Sequence, residues 1–232
     1  MLGILGGMGP LASAEFIKTI YEYNIFGEKE QIAPKVLLYS DPSFPDRTEV
    51  LLRGEYDWLL NNLTNALYQL CDLQVSRIII CCITSHYLLP QLPIQLRERI
   101  ISLVDVILNE VLERQENHLL LCTHGTRKLK IFQDNNLWQR AKKYIVLLDD
   151  EDQENIHNMI YHIKIYPRAY SSQSNLQFLE RMKKKYKTEC LIAGCTEIHL
   201  LNKFLLTQKK SINCPFLDPL IVVAQKHINT VP

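Results

Sequence analysis

Apolar residues recur along this chain in two rhythms. Short unbroken runs, such as Leu2 to Leu5, Lys35 to Tyr39, Arg77 to Cys81, His118 to Cys122 and Leu191 to Gly194, are dense in Leu, Ile and Val. Such runs predict strands buried on both faces. Between them, apolar positions return every three or four residues, the spacing of an amphipathic helix. Phe16, Ile17, Ile20 and Tyr21 mark the inner face of a first helix. Leu59, Leu60, Leu63, Ala66, Leu67 and Leu70 mark one from about Tyr56 to Leu73, and Leu176, Leu179 and Met182 another that Ser172 could cap.

Punctuation sharpens the boundaries. Gly6-Gly7-Met8-Gly9 reads as a turn, and Pro10 suits the first turn of a helix. Pro42 and Pro45 make Ser40 to Thr48 a loop, and Pro90 and Pro93 interrupt the helix after Cys82. A second pass of the same grammar starts near residue 100. Ile100 to Val104 reads as a possible strand and Asp105 to Glu113 as a helix, and Thr123 to Thr126 makes another strand-to-helix turn. Tyr144 to Leu148 is rich in strand formers. The acidic Asp149 to Glu154 opens a helix that runs to about Lys164, its charges opposed to the helix dipole. Asn213 to Leu217 reads as a last strand, before a closing helix from Pro219 to Ile228.

Strands alternating with helices predict an α/β fold with mostly parallel sheets. The second pass echoes the first, so the expectation is two similar lobes related by a pseudo-two-fold axis. Residues 1–100 with 208–232 would form the lobe carrying Cys82, and residues 101–207 the lobe carrying Cys195. Ligands bind beyond the carboxyl ends of parallel strands, so one cleft between the lobes is the expected site.

Composition narrows the function classes. The 232 residues are 47% hydrophobic, enough for a full core. Lys and Arg total 26 against 25 acids, which gives no sign of a nucleic-acid partner. The run Lys183 to Lys185 reads as a solvated helix face. No apolar stretch approaches the roughly 20 residues of a membrane helix, and the apolar start lacks the basic flank of a signal peptide. Seven cysteines, mostly within apolar runs, suit reduced thiols in the cytoplasm.

Two of those cysteines are placed alike. Cys82 and Cys195 each end a buried strand and open a polar, helix-ready segment, Cys82-Ile83-Thr84-Ser85-His86 and Cys195-Thr196-Glu197-Ile198-His199. A helix start and cationic neighbours can activate a thiol. Cys81, Cys71, Cys122, Cys190 and Cys214 read as structural, Cys81 because it should face the opposite side of its strand from Cys82. The paired Cys-x-x-x-His segments also permit a zinc set of Cys82, His86, Cys195 and His199.

Gly6-Gly7-Met8-Gly9-Pro10, Pro45-Asp46-Arg47-Thr48, Cys82-x-Thr84-x-His86, Thr123-x-Gly125-Thr126, Cys195-Thr196-Glu197 and Asp218-Pro219 occur in that order. In order and spacing they resemble the aspartate/glutamate racemase family, and the Gly-Gly-Met-Gly-Pro opening resembles its aspartate racemase branch. The resemblance implies a racemase that needs no cofactor and no metal, acting on aspartate or a related amino acid. Cys82 and Cys195 would be its catalytic pair, one thiolate and one thiol on opposite faces of the α-carbon. It further implies substrate contacts from Met8, Arg47, Thr84, Thr126, Lys164, Thr196 and the backbone at Ile83, and a homodimer.

Several of these positions carry a second reading. Arg47 could be a surface arginine, Lys164 a helix-ending base, and Asp46 and Glu197, the possible auxiliary acids, simple helix caps. The family usually has Asn after the first cysteine, where Ile83 stands. That departure points to a related amino acid rather than plain aspartate. Within the superfamily a cysteine-dependent isomerase or decarboxylase shares the fold, and outside it a silent amino-acid-binding protein fits the same residues.

Overall fold

The computed structural model describes residues 1–25, 27, 29–166, 168–207 and 215–228. Cys214 and the start of the expected last strand lie outside them. In chain order the elements are β1 (Leu2–Gly6), α1 (Pro10–Asn24), β2 (Val36–Ser40), α2 (Arg47–Arg53), α3 (Asp57–Asp72) and β3 (Arg77–Ile80). A 3-10 helix, Thr84–Gln91, then leads to α4 (Ile94–Arg97), α5 (Leu103–Arg114), β4 (His118–Cys122), α6 (His124–Lys128) and α7 (Trp138–Ala141). The chain continues through β5 (Ile145–Val146), α8 (Asp150–Ile165), α9 (Gln173–Tyr186), β6 (Cys190–Gly194), α10 (Glu197–Thr207), β7 (Phe216–Leu217) and α11 (Pro219–Val222).

Every strand pairing is parallel. One sheet has the order β2-β1-β3 and the other β5-β4-β6-β7. The first three strands of each repeat one arrangement, the leading strand central and the cysteine-bearing strand beside it. Cys82 and Cys195 therefore follow equivalent strands. The apolar rhythm accounts for this. Strands β1, β4 and β6 are buried throughout, as strands with helices on both faces must be.

One apolar cluster runs through both sheets, joining Ile4 and Ile79 of the first to Leu120 and Ile192 of the second. β7 extends the second sheet, whereas α11 packs on α1 and α5. Three local expectations change. Ile100 makes only an isolated bridge to Ile78, because Ser102 accepts a hydrogen bond from the Asp105 amide and starts α5. The Ser40–Thr48 loop is shorter at both ends, since Ser40 closes β2 and the Asp46 side chain accepts from the Glu49 amide and begins α2 at Arg47. Ser172 precedes α9 as expected, but its hydroxyl pairs with Ser174 instead of capping. The charge order of α8 holds, with Asp149 as its cap. Among the described residues no helix is long and apolar enough to cross a membrane.

Candidate active site

The carboxyl ends of β1, β2, β3, β4 and β6 converge on one small region. β1 hands over to Met8 and Gly9, the turn after β2 leads to Asp46 and Arg47, Cys82 follows the end of β3 by two residues, and Thr123 and Cys195 directly follow β4 and β6. Cys82 is 7% exposed and Cys195 6%, so both sulfurs lie at the bottom of a nearly closed seam. An open concavity of about 350 Å³ lies behind the Cys82 segment, against His86, Arg97, Asp105 and Asp134, and holds neither thiol.

The second cysteine has the better-defined partner. Its Sγ donates to Glu197 Oε2 at 2.8 Å, and the Thr196 hydroxyl reaches the same oxygen at 3.5 Å. Burial, and then the Glu197 charge, push the Cys195 thiol well above its usual range, against the pull of Lys164. Cys195 is thus held as a thiol with a carboxylate as acceptor. The other oxygen, Glu197 Oε1, is buried with no hydrogen-bond partner. It lies against Gly9, where a Cβ would sit 2.3 Å from it.

Arg47 opens α2, which follows β2 of the other sheet. It is 8% exposed, which removes the surface reading. Its Nη1 donates to the carbonyls of Phe44 and Pro45 at 3.2 and 2.7 Å, and its Nη2 to that of Met8 at 2.9 Å. Three of the five guanidinium donors are spent on backbone. Nε keeps no partner, and the guanidinium lies near Cys82. Met8, 2% exposed, also receives the Ser85 hydroxyl on its sulfur at 3.2 Å.

Lys164 completes the charge pattern from α8. Burial works against its ammonium, but Glu197, Cys195 and Cys82 outweigh that and raise it above the usual lysine range, with Arg47 opposing. The ammonium lies 4.5 Å from the centre of the Tyr161 ring. Tyr161 in turn donates to both Asp46 oxygens, at 2.8 and 2.7 Å. Asp46 therefore both caps α2 and ties it to α8.

The threonines form a second tie. Thr84 Oγ1 lies 3.1 Å from Thr123 Oγ1 and 3.0 Å from Thr126 Oγ1, which are themselves 3.2 Å apart. Each hydroxyl in such a triangle can donate once and accept once, so the ring is self-satisfying. Thr196 reaches across to the Cys81 carbonyl at 3.4 Å. The Ile83 side chain, 1% exposed, is turned into the shared core. Only its backbone remains for a ligand.

Cys81 packs in that core while Cys82 belongs to the cluster beneath α3, so the neighbours do face apart. Burial, with Glu197 and Cys82 nearby, raises the Cys81 thiol well above its usual range.

The zinc set does not assemble. His86 Nδ1 lies 3.0 Å from the Cys82 carbonyl and Nε2 accepts from the Leu103 amide at 3.0 Å. His199 spends its nitrogens on Asp218 at 2.8 Å and Thr19 at 3.0 Å. Both imidazoles are structural bolts with no lone pair aimed at the thiols.

Sequence reasoning does not single out Tyr161, and it includes Thr123 only as the start of the Thr123-x-Gly125-Thr126 motif. Tyr161 had one available signal, its position three residues before Lys164 on the same helix face.

Two parallel sheets with a cysteine after equivalent strands, a carboxylate on one thiol and two cations nearby define a class of α/β protein with a buried, charged cluster at the carboxyl ends of its strands. The profile of the Asp/Glu/hydantoin racemase family matches residues 5–226, and the chain belongs to that family. It is 21% identical to the broad specificity amino-acid racemase RacX of Bacillus subtilis (strain 168), over 99% of this chain and 97% of that one. The aspartate racemase of Picrophilus torridus superposes with a TM-score of 0.77 at 22% identity, covering 97% of this chain and 91% of its own. A glutamate racemase of Francisella tularensis, solved with D-glutamate, superposes at 0.63 and 13% identity, covering 99% of this chain and 79% of its own.

Proposed function

We propose that this racemase-family protein inverts an amino acid, aspartate or a related one, by a two-base thiol mechanism that uses no cofactor. The observation that carries the reading is the asymmetric pair: Cys195 held as a thiol on Glu197, and Cys82 beside the Arg47 guanidinium. A planar carbanion takes its new proton from the opposite face only if a second acid waits there. For one direction Cys82 serves as base and Cys195 as acid, and the roles exchange for the reverse reaction.

The α-proton is a weak acid, so the carbanion needs charge stabilisation close by. Lys164 and the open donor of Arg47 supply positive charge for the substrate carboxylates. Glu197 Oε1, an acceptor with no partner, suits the substrate ammonium. Thr84, Thr126, Thr196 and the backbone at Ile83 line the remaining contacts, with Met8 as an apolar wall and Asp46 holding Tyr161 under Lys164. Ile83 replaces the amide usual at its position, and RacX is described as broad in specificity. Both favour a related amino acid over strict aspartate. The reaction needs reduced thiols, as in the cytoplasm, and the proposed assembly is a homodimer of the 27.0 kDa chain.

Incubation of both enantiomers of a panel of amino acids in D2O, followed by chiral separation and mass spectrometry, tests the reading. Wild-type protein should incorporate deuterium at the α-carbon and racemise, and Cys82→Ser or Cys195→Ser should abolish racemisation with the fold intact by circular dichroism. Full activity in either variant defeats the two-base assignment. A strong preference for aspartate defeats the broader substrate choice.

A further inference from the structure

The second sheet has another cluster at its amino-terminal edge, the end away from the thiols. His118 opens β4 and Cys190 opens β6, and the two are direct partners in the parallel register. Paired residues on neighbouring strands leave the sheet on one face, about 4.8 Å apart. Glu116, two residues before His118, brings Oε1 to 3.5 Å from His118 Nε2. The carboxylate oxygen, the imidazole nitrogen and the sulfur all lie within 4.8 Å of one another. Among the described residues no other three His, Cys, Asp or Glu side chains gather this closely.

Proton positions make the cluster rich in lone pairs. His118 Nδ1 lies 2.7 Å from the Glu116 carbonyl, which can only accept, so Nδ1 carries a hydrogen. The imidazole is fully buried, and Nε2 is the nitrogen left to face a ligand. Nε2 has no hydrogen-bond partner and faces a carboxylate. A backbone carbonyl on one ring nitrogen is the usual way to orient a histidine whose other nitrogen binds metal. Arg114 Nη1 is 3.8 Å from Cys190 Sγ, and its Nη2 pairs with Glu110 at 3.5 Å. With about a third of its side chain exposed, Arg114 can turn outward and keep Glu110.

We propose that Glu116, His118 and Cys190 bind one zinc-class divalent cation through oxygen, nitrogen and sulfur, with a water as fourth ligand. A thiolate and an imidazole select a borderline-soft ion over magnesium or calcium. On binding, the Cys190 proton leaves to solvent and the three ligand atoms draw in by about an ångström toward tetrahedral spacing. The ion clips β4 to β6 at the edge opposite the thiols. It is a stabilising site, separate from catalysis.

The test uses the Cys82→Ser/Cys195→Ser double variant, so that the other buried thiols at the seam take no metal. Chelator-stripped protein is titrated with zinc chloride by calorimetry, and with cobalt chloride followed by absorption. One equivalent should bind, Tm should rise, and cobalt should show a thiolate charge-transfer band. Adding Cys190→Ser should remove that band. Adding Glu116→Gln, at a partly exposed position where folding is not at risk, should weaken binding about tenfold or more. No stoichiometric binding by the double variant overturns the proposal, as does affinity unchanged by both Glu116→Gln and Cys190→Ser.

Discussion

At the scale of single residues, the site is governed by which polar atoms have no partner. Arg47 Nε and Glu197 Oε1 are buried and unsatisfied. Leaving such a group unpaired costs about 1–3 kcal/mol, a cost that a ligand can relieve. Gly9 is the residue that leaves room for Glu197 Oε1. A methyl there meets the far end of a flexible side chain rather than backbone, so Gly9→Ala should move the carboxylate off Cys195 without unfolding the turn. The expected result is a fall in kcat of about 10²-fold with Tm almost unchanged. An unaltered kcat would mean that the carboxylate does not serve the thiol. The family motifs made Cys82, Cys195 and Arg47 legible in sequence. They could not show that three of the five Arg47 donors are already committed to carbonyls, because those bonds depend on how the 44–47 turn folds against Met8.

At the scale of elements, the strand-to-helix turns do most of the positioning. Gly7 has a φ of +88°, and a Cβ on it would lie 2.2 Å from the Asp41 backbone. All three atoms it would meet are Asp41 main chain, which cannot step aside. Gly7→Ala should therefore cost at least about 2 kcal/mol and lower the urea midpoint, in contrast to Gly9→Ala. The rhythm of apolar residues placed β1, β3, β4, β6, α3, α8 and α9 well, since each buries a continuous run or a full helical stripe. Ile100 to Val104 misled because its apolar residues serve two elements, a bridge to Ile78 and the first turn of α5. Pro93 marks the break before α4, whereas Pro90 lies inside the 3-10 helix. They could not distinguish an α-helix from the 3-10 helix that carries Thr84 and His86.

At the scale of the whole molecule, ties between the two sheets close the seam. Tyr161 on Asp46, the ring of Thr84, Thr123 and Thr126, and Thr196 on the Cys81 carbonyl all join residues far apart in the chain. His86 belongs to this scale too, because it bolts the Cys82 turn to the start of α5. Burial holds its imidazole down to about 4. Between pH 6.5 and 4 the unfolded chain takes up a proton that folded His86 refuses. Stability therefore falls as pH drops through that window, by on the order of 3 kcal/mol from this group. His157, also brought down to about 4 by burial, adds in the same direction. Urea unfolding at pH 7 and 4.5 should show the loss, and His86→Gln should flatten the slope; an equal slope in both proteins contradicts the assignment. The alternation of buried runs and amphipathic stripes determined the α/β class, the repeat and the place of both cysteines at strand ends, because strand burial and helical periodicity are local properties of sequence. Only the tertiary structure decided that Lys164 and Arg47 share one seam with the thiols, and that His86 and His199 turn away from them. Those outcomes depend on side chains brought together by packing from distant parts of the chain, and no local pattern encodes a distance between them.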